Sequence, residues 1–188
     1  PCALTLPYYR ATNTELLRRQ VEWTTEWKTA MWRQVITAKV RNQAAVLGHL
    51  KRANTLLTGI ADLCQNKQAT PDAAESRAAK NYWRKLLPRL SDTERRREPG
   101  TRKGVNGMLD YGYAVVRTAV LRSLAAHGFI AALGIAHTAK AGSFALADDL
   151  MEPLRPWLDR ELFRHMEQGN EAGKMDDWIP VAADLLAK

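Results

Sequence analysis

The stretch Trp23-Thr24-Thr25-Glu26-Trp27-Lys28-Thr29-Ala30-Met31-Trp32-Arg33-Gln34-Val35 sets the fold class. Trp23, Trp27, Met31 and Val35 fall at successive four-residue steps, which lines up one side of an α-helix. The intervening residues lack the strict apolar–polar alternation of a half-buried strand. Working back, Leu16 precedes the stripe and Asn13 is a capping residue type, so a helix is predicted to start there. Residues 1–12, held by Pro1 and Pro7, read as extended. Working forward, the pattern continues through Ile36, Val40, Leu47 and Leu50 to about Cys64, with a break expected near Trp32 or Gly48.

The rest of the chain reads the same way. Thr70-Pro71 is a helix start, with a capping hydroxyl followed by proline at the first helical position. Pro88 is expected to end that helix. Residues 89–104 are charged, contain Pro99-Gly100 and read as a loop. An apolar helix is predicted over 105–127, stopped by Gly128. Residues 129–142 are small and turn-rich. Ser143 can cap the next helix, with a kink at Pro153 and an apolar stripe of Leu154, Leu158, Leu162 and Met166. Residues 169–188 read as a tail carrying a short helix over 175–187. With no strand pattern and no repeat, the expectation is one all-α domain spanning 1–188.

Composition narrows the partners. The 188 residues include 28 Lys and Arg against 20 Asp and Glu, a formal charge of +8. Such an excess favours an anionic partner, of which nucleic acid is the commonest. Cys2 and Cys64 make no metal or disulfide spacing and read as reduced thiols of a cytoplasmic protein. No apolar run has the length of a membrane span, and the first residues do not read as a signal peptide.

The chemistry-bearing residues lie in three places. Asp148, Asp149 and Glu152 occur in Ala-Asp-Asp-Leu-Met-Glu-Pro, where either aspartate shares a helix face with Glu152. Clustered carboxylates repel unless a cation sits among them, and a hard divalent metal is a natural occupant. The plainer reading is a solvated acidic face near a helix start. His137 lies 15 residues before Glu152, beside a turn that can fold it back onto the carboxylates. Alone, it reads first as a helix-end histidine bonded to a carbonyl. Glu75 sits one turn inside the helix begun by Pro71, and spacing alone does not distinguish it from a surface glutamate.

Five segments together resemble the spacer-integrating Cas-one family of CRISPR adaptation. Residues 32–43, Trp-Arg-Gln-Val-Ile-Thr-Ala-Lys-Val-Arg-Asn-Gln, are similar to its first helical signature. Glu75 followed by Ala78-Ala79-Lys80-Asn81-Tyr82-Trp83 resembles its glutamate motif. Val105-Asn106-Gly107-Met108-Leu109-Asp110-Tyr111-Gly112-Tyr113 resembles its asparagine–tyrosine motif. Leu133-Gly134-Ile135-Ala136-His137 resembles its histidine motif, and residues 147–156 its acidic motif.

The resemblance implies a metal-dependent integrase of a prokaryotic cytoplasm. The 3′-hydroxyl ends of a short DNA would attack phosphodiesters at the edges of a CRISPR repeat and insert a spacer. It implies that Glu75, His137 and Glu152 are catalytic and hold Mg²⁺ or Mn²⁺, with Asp149 as auxiliary metal ligand and Asp148 a lesser candidate. Lys140 matches a basic position that would meet a phosphate. Family members usually carry an N-terminal β-rich domain that binds a small Cas-two partner. Glu75 lies too early here for that domain, so the resemblance covers the helical catalytic domain alone. The expectation is a short form similar to the mini-integrases of some type V systems, with a fragment as the alternative. Cas-two is therefore not an expected partner. Action at two repeat ends implies a dimer or tetramer on double-stranded DNA.

The span from Arg84 to Lys103 holds eight Lys or Arg and three acids, +5 of the total charge. Arg84, Arg95, Arg96, Arg97, Arg102 and Lys103 are candidates to track a DNA backbone without reading sequence; a solvated loop is the alternative. Two rival functions remain open at this level. One is a metal-dependent endonuclease that cuts without joining. The other is a non-catalytic helical DNA-binding or scaffold protein.

Overall fold

The computed structural model describes residues 14–90, 96–137, 144–169 and 174–184, which are helical and contain no strand. The elements are α1 (Thr14–Val21), α2 (Thr25–His49), α3 (Thr55–Gln65), α4 (Pro71–Leu90), α5 (Gly104–Ala126), α6 (Ala145–Met151), a 3-10 turn (Glu152–Leu154), α7 (Arg155–Glu167) and α8 (Met175–Asp184). The predicted extended segment 1–12 and the caps at Asn13 and Ser143 lie outside the described residues.

Helix α2 organises the rest because it is buried along two faces. Trp32, Ile36, Val40, Ala44 and Leu47 form one, and Lys39, Gln43, Val46 and Leu50 the other. It packs against α3, α4, α6, the 3-10 turn and α7. The tryptophan stripe that signals the helix is not its core face. Thr24 caps α2, its hydroxyl accepting from the Trp27 N–H at 3.2 Å, so Trp23 belongs to the preceding turn. There it stacks on Trp27 (4.5 Å between centroids) and leans on Phe129.

Local signals explain most boundaries. Thr70 caps α4 through the Ala73 N–H at 3.3 Å, and Pro71 opens it, as expected. Pro88 does not end α4, which continues to Leu90. Lying in the last turn, it removes a single intrahelical hydrogen bond, and Leu86 and Leu87 just before it are fully buried. The expected break near Gly48 falls at Leu50 to Asn54, whereas α2 runs through Trp32 without interruption. Gly128, at φ 79°, follows the end of α5. Pro153 produces a 3-10 turn between α6 and α7 in place of a kink.

The motif on α5 fixes neighbouring backbone. A Cβ on Gly107 would come within 2.8 Å of the Arg102 carbonyl carbon, so the incoming loop passes over it. A Cβ on Gly112 would meet the Leu158 side chain at 2.5 Å, so α5 and α7 approach closely there.

One buried carboxylate joins three helices. Asp159 on α7 is 1% exposed and accepts hydrogen bonds from Tyr82 on α4 (2.8 Å) and Tyr113 on α5 (2.5 Å). Burial pushes its carboxyl up to about 6, against the opposing pull of the two phenols and of Arg155 and Arg97. The same burial, with the adjacent carboxylate, raises both phenols well above their ordinary range. Between the ordinary carboxyl value and about 6, the folded chain keeps a proton that the unfolded chain has released. Asp159 therefore favours folding most in acid, and that contribution is lost as pH rises through about 6. Urea unfolding of the natural chain and Asp159→Asn, from about pH 4 to about pH 7, should show the natural chain losing on the order of 2 kcal/mol relative to the variant. A difference that stays constant over this range would refute the assignment.

Candidate metal and phosphate site

Two glutamates from different elements meet on one lysine. Glu75, one turn into α4, and Glu152, at the start of the 3-10 turn, both face Lys39 on α2. The Lys39 ammonium lies 2.5 Å from Glu75 Oε1 and also pairs with Glu152 Oε2. Lys39 is 8% exposed and Glu152 4%. The Arg155 guanidinium, 3.1 Å from Glu152 Oε1, holds the other oxygen of that carboxylate. Asn42 anchors the turn itself by donating to the Pro153 carbonyl at 2.7 Å.

His137 is positioned by a different acid. Asp149 is fully buried, and its oxygens accept from the backbone N–H groups of Ile135 (2.5 Å), Ala136 (3.0 Å) and His137 (3.2 Å). Its Oδ1 also lies 2.5 Å from His137 Nδ1. The turn is held from its other side by Gln20, which bonds the Ile130 N–H and carbonyl, each at 2.8 Å. Gly134 is required here, because a Cβ would come within 2.4 Å of the His137 carbonyl oxygen and 3.0 Å of Asp149 Oδ2. The imidazole meets Trp32 edge-on at 5.8 Å, and the Trp32 indole donates to Asp72 on α4 at 3.0 Å.

Of the three residues expected to share a metal, Glu75 and Glu152 are thus brought together, while His137 is held by Asp149. Among the described residues, no three His, Cys, Asp or Glu side chains gather as a metal-holding group. Trp32, which meets His137, and Lys39, which meets both glutamates, lie about two turns apart on α2. Asp148, expected to compete with Asp149, points away and pairs with Arg117 (2.9 Å).

The basic loop divides. Arg84, Arg96, Arg102 and Lys103 are exposed. Arg84 and Arg96 line a cavity of about 500 Å³ with Lys80 and Trp83. Arg97 turns inward instead, paired with Asp110, bonded to Asn106 and lying over the Trp83 and Tyr113 rings. Asn106 also bonds the Glu98 N–H and the Arg96 carbonyl, so this α5 residue organises the loop. Arg95 and Lys140 lie outside the described residues.

Lys39, Arg155 and Trp32 lie within the segments that carry the resemblance, yet sequence reasoning assigns them no role at the site. The available signal was a lysine on the inward side of a helix, in step with Gln43 and Val46. That signal needs the second buried face of α2, which the tryptophan stripe obscures.

The family model described as "CRISPR associated protein Cas1" matches residues 1–175. The CRISPR-associated endonuclease Cas1 of Neisseria meningitidis is 32% identical over 179 residues, covering 90% of this chain and 54% of that protein. A Francisella tularensis Cas1 endonuclease is 33% identical over 150 residues, covering 72% and 47%. The chain therefore spans about half the length of the curated relatives it matches. Among solved structures, a CAS1 protein from Thermotoga maritima superposes with a TM-score of 0.71 at 21% identity, covering 86% of this chain and 56% of that one. A casposase bound to integration product gives 0.67 at 21% identity, covering 89% and 50%. These two likenesses speak to the fold.

The two adjacent aspartates should separate in stability. Asp149→Ala leaves three backbone donors without their acceptor and should cost about 3 kcal/mol or more. Asp148→Ala removes a partly exposed ion pair and should cost under about 1 kcal/mol. Equal losses in urea titrations of the two variants would contradict this division.

Proposed function

The chain belongs to the CRISPR-associated Cas1 family, and on that premise we propose that it is the helical catalytic part of a spacer integrase. In this reading, the 3′-hydroxyl of a short DNA attacks a phosphodiester at the edge of a CRISPR repeat. One phosphodiester replaces another, so no external energy source is required. The observation that carries the reading is the convergence of Glu75 and Glu152 on a single positive charge. Two carboxylate oxygens already directed at one cation suit a hard divalent ion such as Mg²⁺ or Mn²⁺.

Glu75 and Glu152 would hold the ion, and His137 would complete the set. Its Nδ1 faces Asp149, which leaves Nε2 as the nitrogen to offer. A carboxylate behind a ligating imidazole fixes its tautomer and orientation. Asp149 thus acts through His137 in place of binding the metal directly. When bound, such an ion neutralises charge developing on the scissile phosphate and eases deprotonation of the attacking hydroxyl. Arg155 keeps the Glu152 carboxylate in position. Exposed Arg84, Arg96, Arg102 and Lys103 would follow the DNA backbone, with Arg95 and Lys140 as further candidates, while Arg97 holds the loop in shape.

Joining at both ends of a repeat needs two sites, which supports a dimer or tetramer on double-stranded DNA. Two structural neighbours, a Cas6-RT-Cas1–Cas2 complex and a partial one, keep Cas2 as a second candidate for assembly. The relatives' name of endonuclease favours one alternative, cleavage without joining, in which water replaces the hydroxyl.

An integration assay with a short duplex, a repeat-bearing plasmid and Mg²⁺ or Mn²⁺ distinguishes these. Glu75→Ala, His137→Ala and Glu152→Ala should each reduce covalent joining by about 100-fold or more, each factor of ten corresponding to ~1.4 kcal/mol of barrier. Undiminished joining by all three variants refutes the site. Cleavage with no attached duplex would make the protein an endonuclease.

A further inference from the structure

The lysine between the glutamates is unexplained by the metal reading on which this inference rests. We propose that Lys39 is a resident counterion with two seats on one helix face: Glu75 and Glu152 when no metal is bound, and Gln43 when one is.

Two observations and one physical constraint lead there. First, the ammonium already occupies the place toward which both carboxylates point. It cannot stay there beside a divalent cation, because like charges at contact distance in a buried setting repel strongly. Secondly, a displaced buried ammonium needs a new acceptor, since an unpaired buried charge is prohibitively unfavourable. Thirdly, that acceptor is present one turn along α2. Gln43 is 3% exposed, and among the described residues none donates a hydrogen bond to its Oε1.

The geometry suits the move. Residues four apart on a helix have Cβ atoms about 5–6 Å apart, within the reach of a lysine stem. Lys39 and Gln43 line the same cavity of about 340 Å³, together with Trp83, Arg97, Arg155 and Asp159. A buried carbonyl oxygen that lines a cavity is placed to accept from a donor entering it. In the second seat, the ammonium leaves the metal's place for the cavity that Asp159 also lines, and with Arg97 and Arg155 presents a cationic wall suited to a DNA phosphate.

Mn²⁺ binding to the 188-residue chain, measured by calorimetry beside the metal-free thermal midpoint, tests the proposal. Lys39→Met removes the competitor and should tighten Mn²⁺ binding by about tenfold or more, the scale of residues that act behind metal ligands, while lowering the metal-free midpoint. Gln43→Leu should do the reverse, weakening Mn²⁺ binding by about tenfold while leaving or raising the midpoint. In the double variant, Gln43→Leu should have no further effect on affinity, because no ammonium remains to be seated. Unchanged or weaker binding by Lys39→Met overturns the proposal, as does a Gln43→Leu effect that persists without Lys39. If Lys39→Met fails to fold, Gln43→Leu decides alone, since general loosening would lower both affinity and midpoint. Glu75→Gln and Glu152→Gln test the underlying reading separately. If both bind Mn²⁺ like the natural chain, the metal site itself is wrong and the lysine proposal falls with it. If both lose binding, the Lys39 and Gln43 results stand on their own.

Discussion

Two carboxylates drawn from separate elements into one largely buried space must be accompanied by positive charge. This constraint connects most of the architecture. Glu75 comes from α4 and Glu152 from the 3-10 turn, and the compensating ammonium comes from α2 between them. A long central helix with two buried faces is what allows one side chain to reach both. The Asn42 bond to the Pro153 carbonyl and the Trp32 bond to Asp72 then tie α2 to the 3-10 turn and to α4. Removing one member of such a buried pair leaves an uncompensated charge, typically worth about 3–5 kcal/mol. The site and the helix packing are therefore one electrostatic problem with one solution.

The acidic motif shows how environment assigns different work to similar side chains. Asp148 and Asp149 are neighbours in sequence, yet one forms a partly exposed pair with Arg117 and the other is buried under a turn of backbone N–H groups. Glu152, three residues on, answers to Lys39 and Arg155. Asp159, a further two turns along, serves neither and instead collects two phenols. A carboxylate's role here follows from which donors surround it.

The sequence made the helical class plain, because four-residue apolar steps, the Thr70-Pro71 start and the Gly128 stop are local signals. It was less informative where tertiary packing decides. The Trp23–Val35 stripe gave the element but not its buried face, since Thr24 starts α2 after Trp23 and the core is reached from Trp32 and Ile36. Pro88 gave too early an end, because a proline in the last turn removes little. For the site, family resemblance selected Glu75, which no spacing rule would choose. The spacing of Asp149 and Glu152 suggested shared ligation, whereas the turn at Gly134 draws Asp149 to His137. Lys39 and Gln43 were visible as residues but not as a pair, because their significance depends on what faces them across the helix packing.

The contact between Gly112 and Leu158 bears on how this fold can drift. The absent side chain at 112 is filled by a large one at 158, so the two positions hold a nearly fixed combined volume. Among kindred sequences they should vary in step, a bulkier residue on α5 arising only with a slimmer one on α7. Since α7 follows directly from the turn carrying Glu152, a mismatch there would displace the carboxylate without altering any residue near it. Some of the history of the site would then be recorded in a pair of apolar positions that never touch its chemistry.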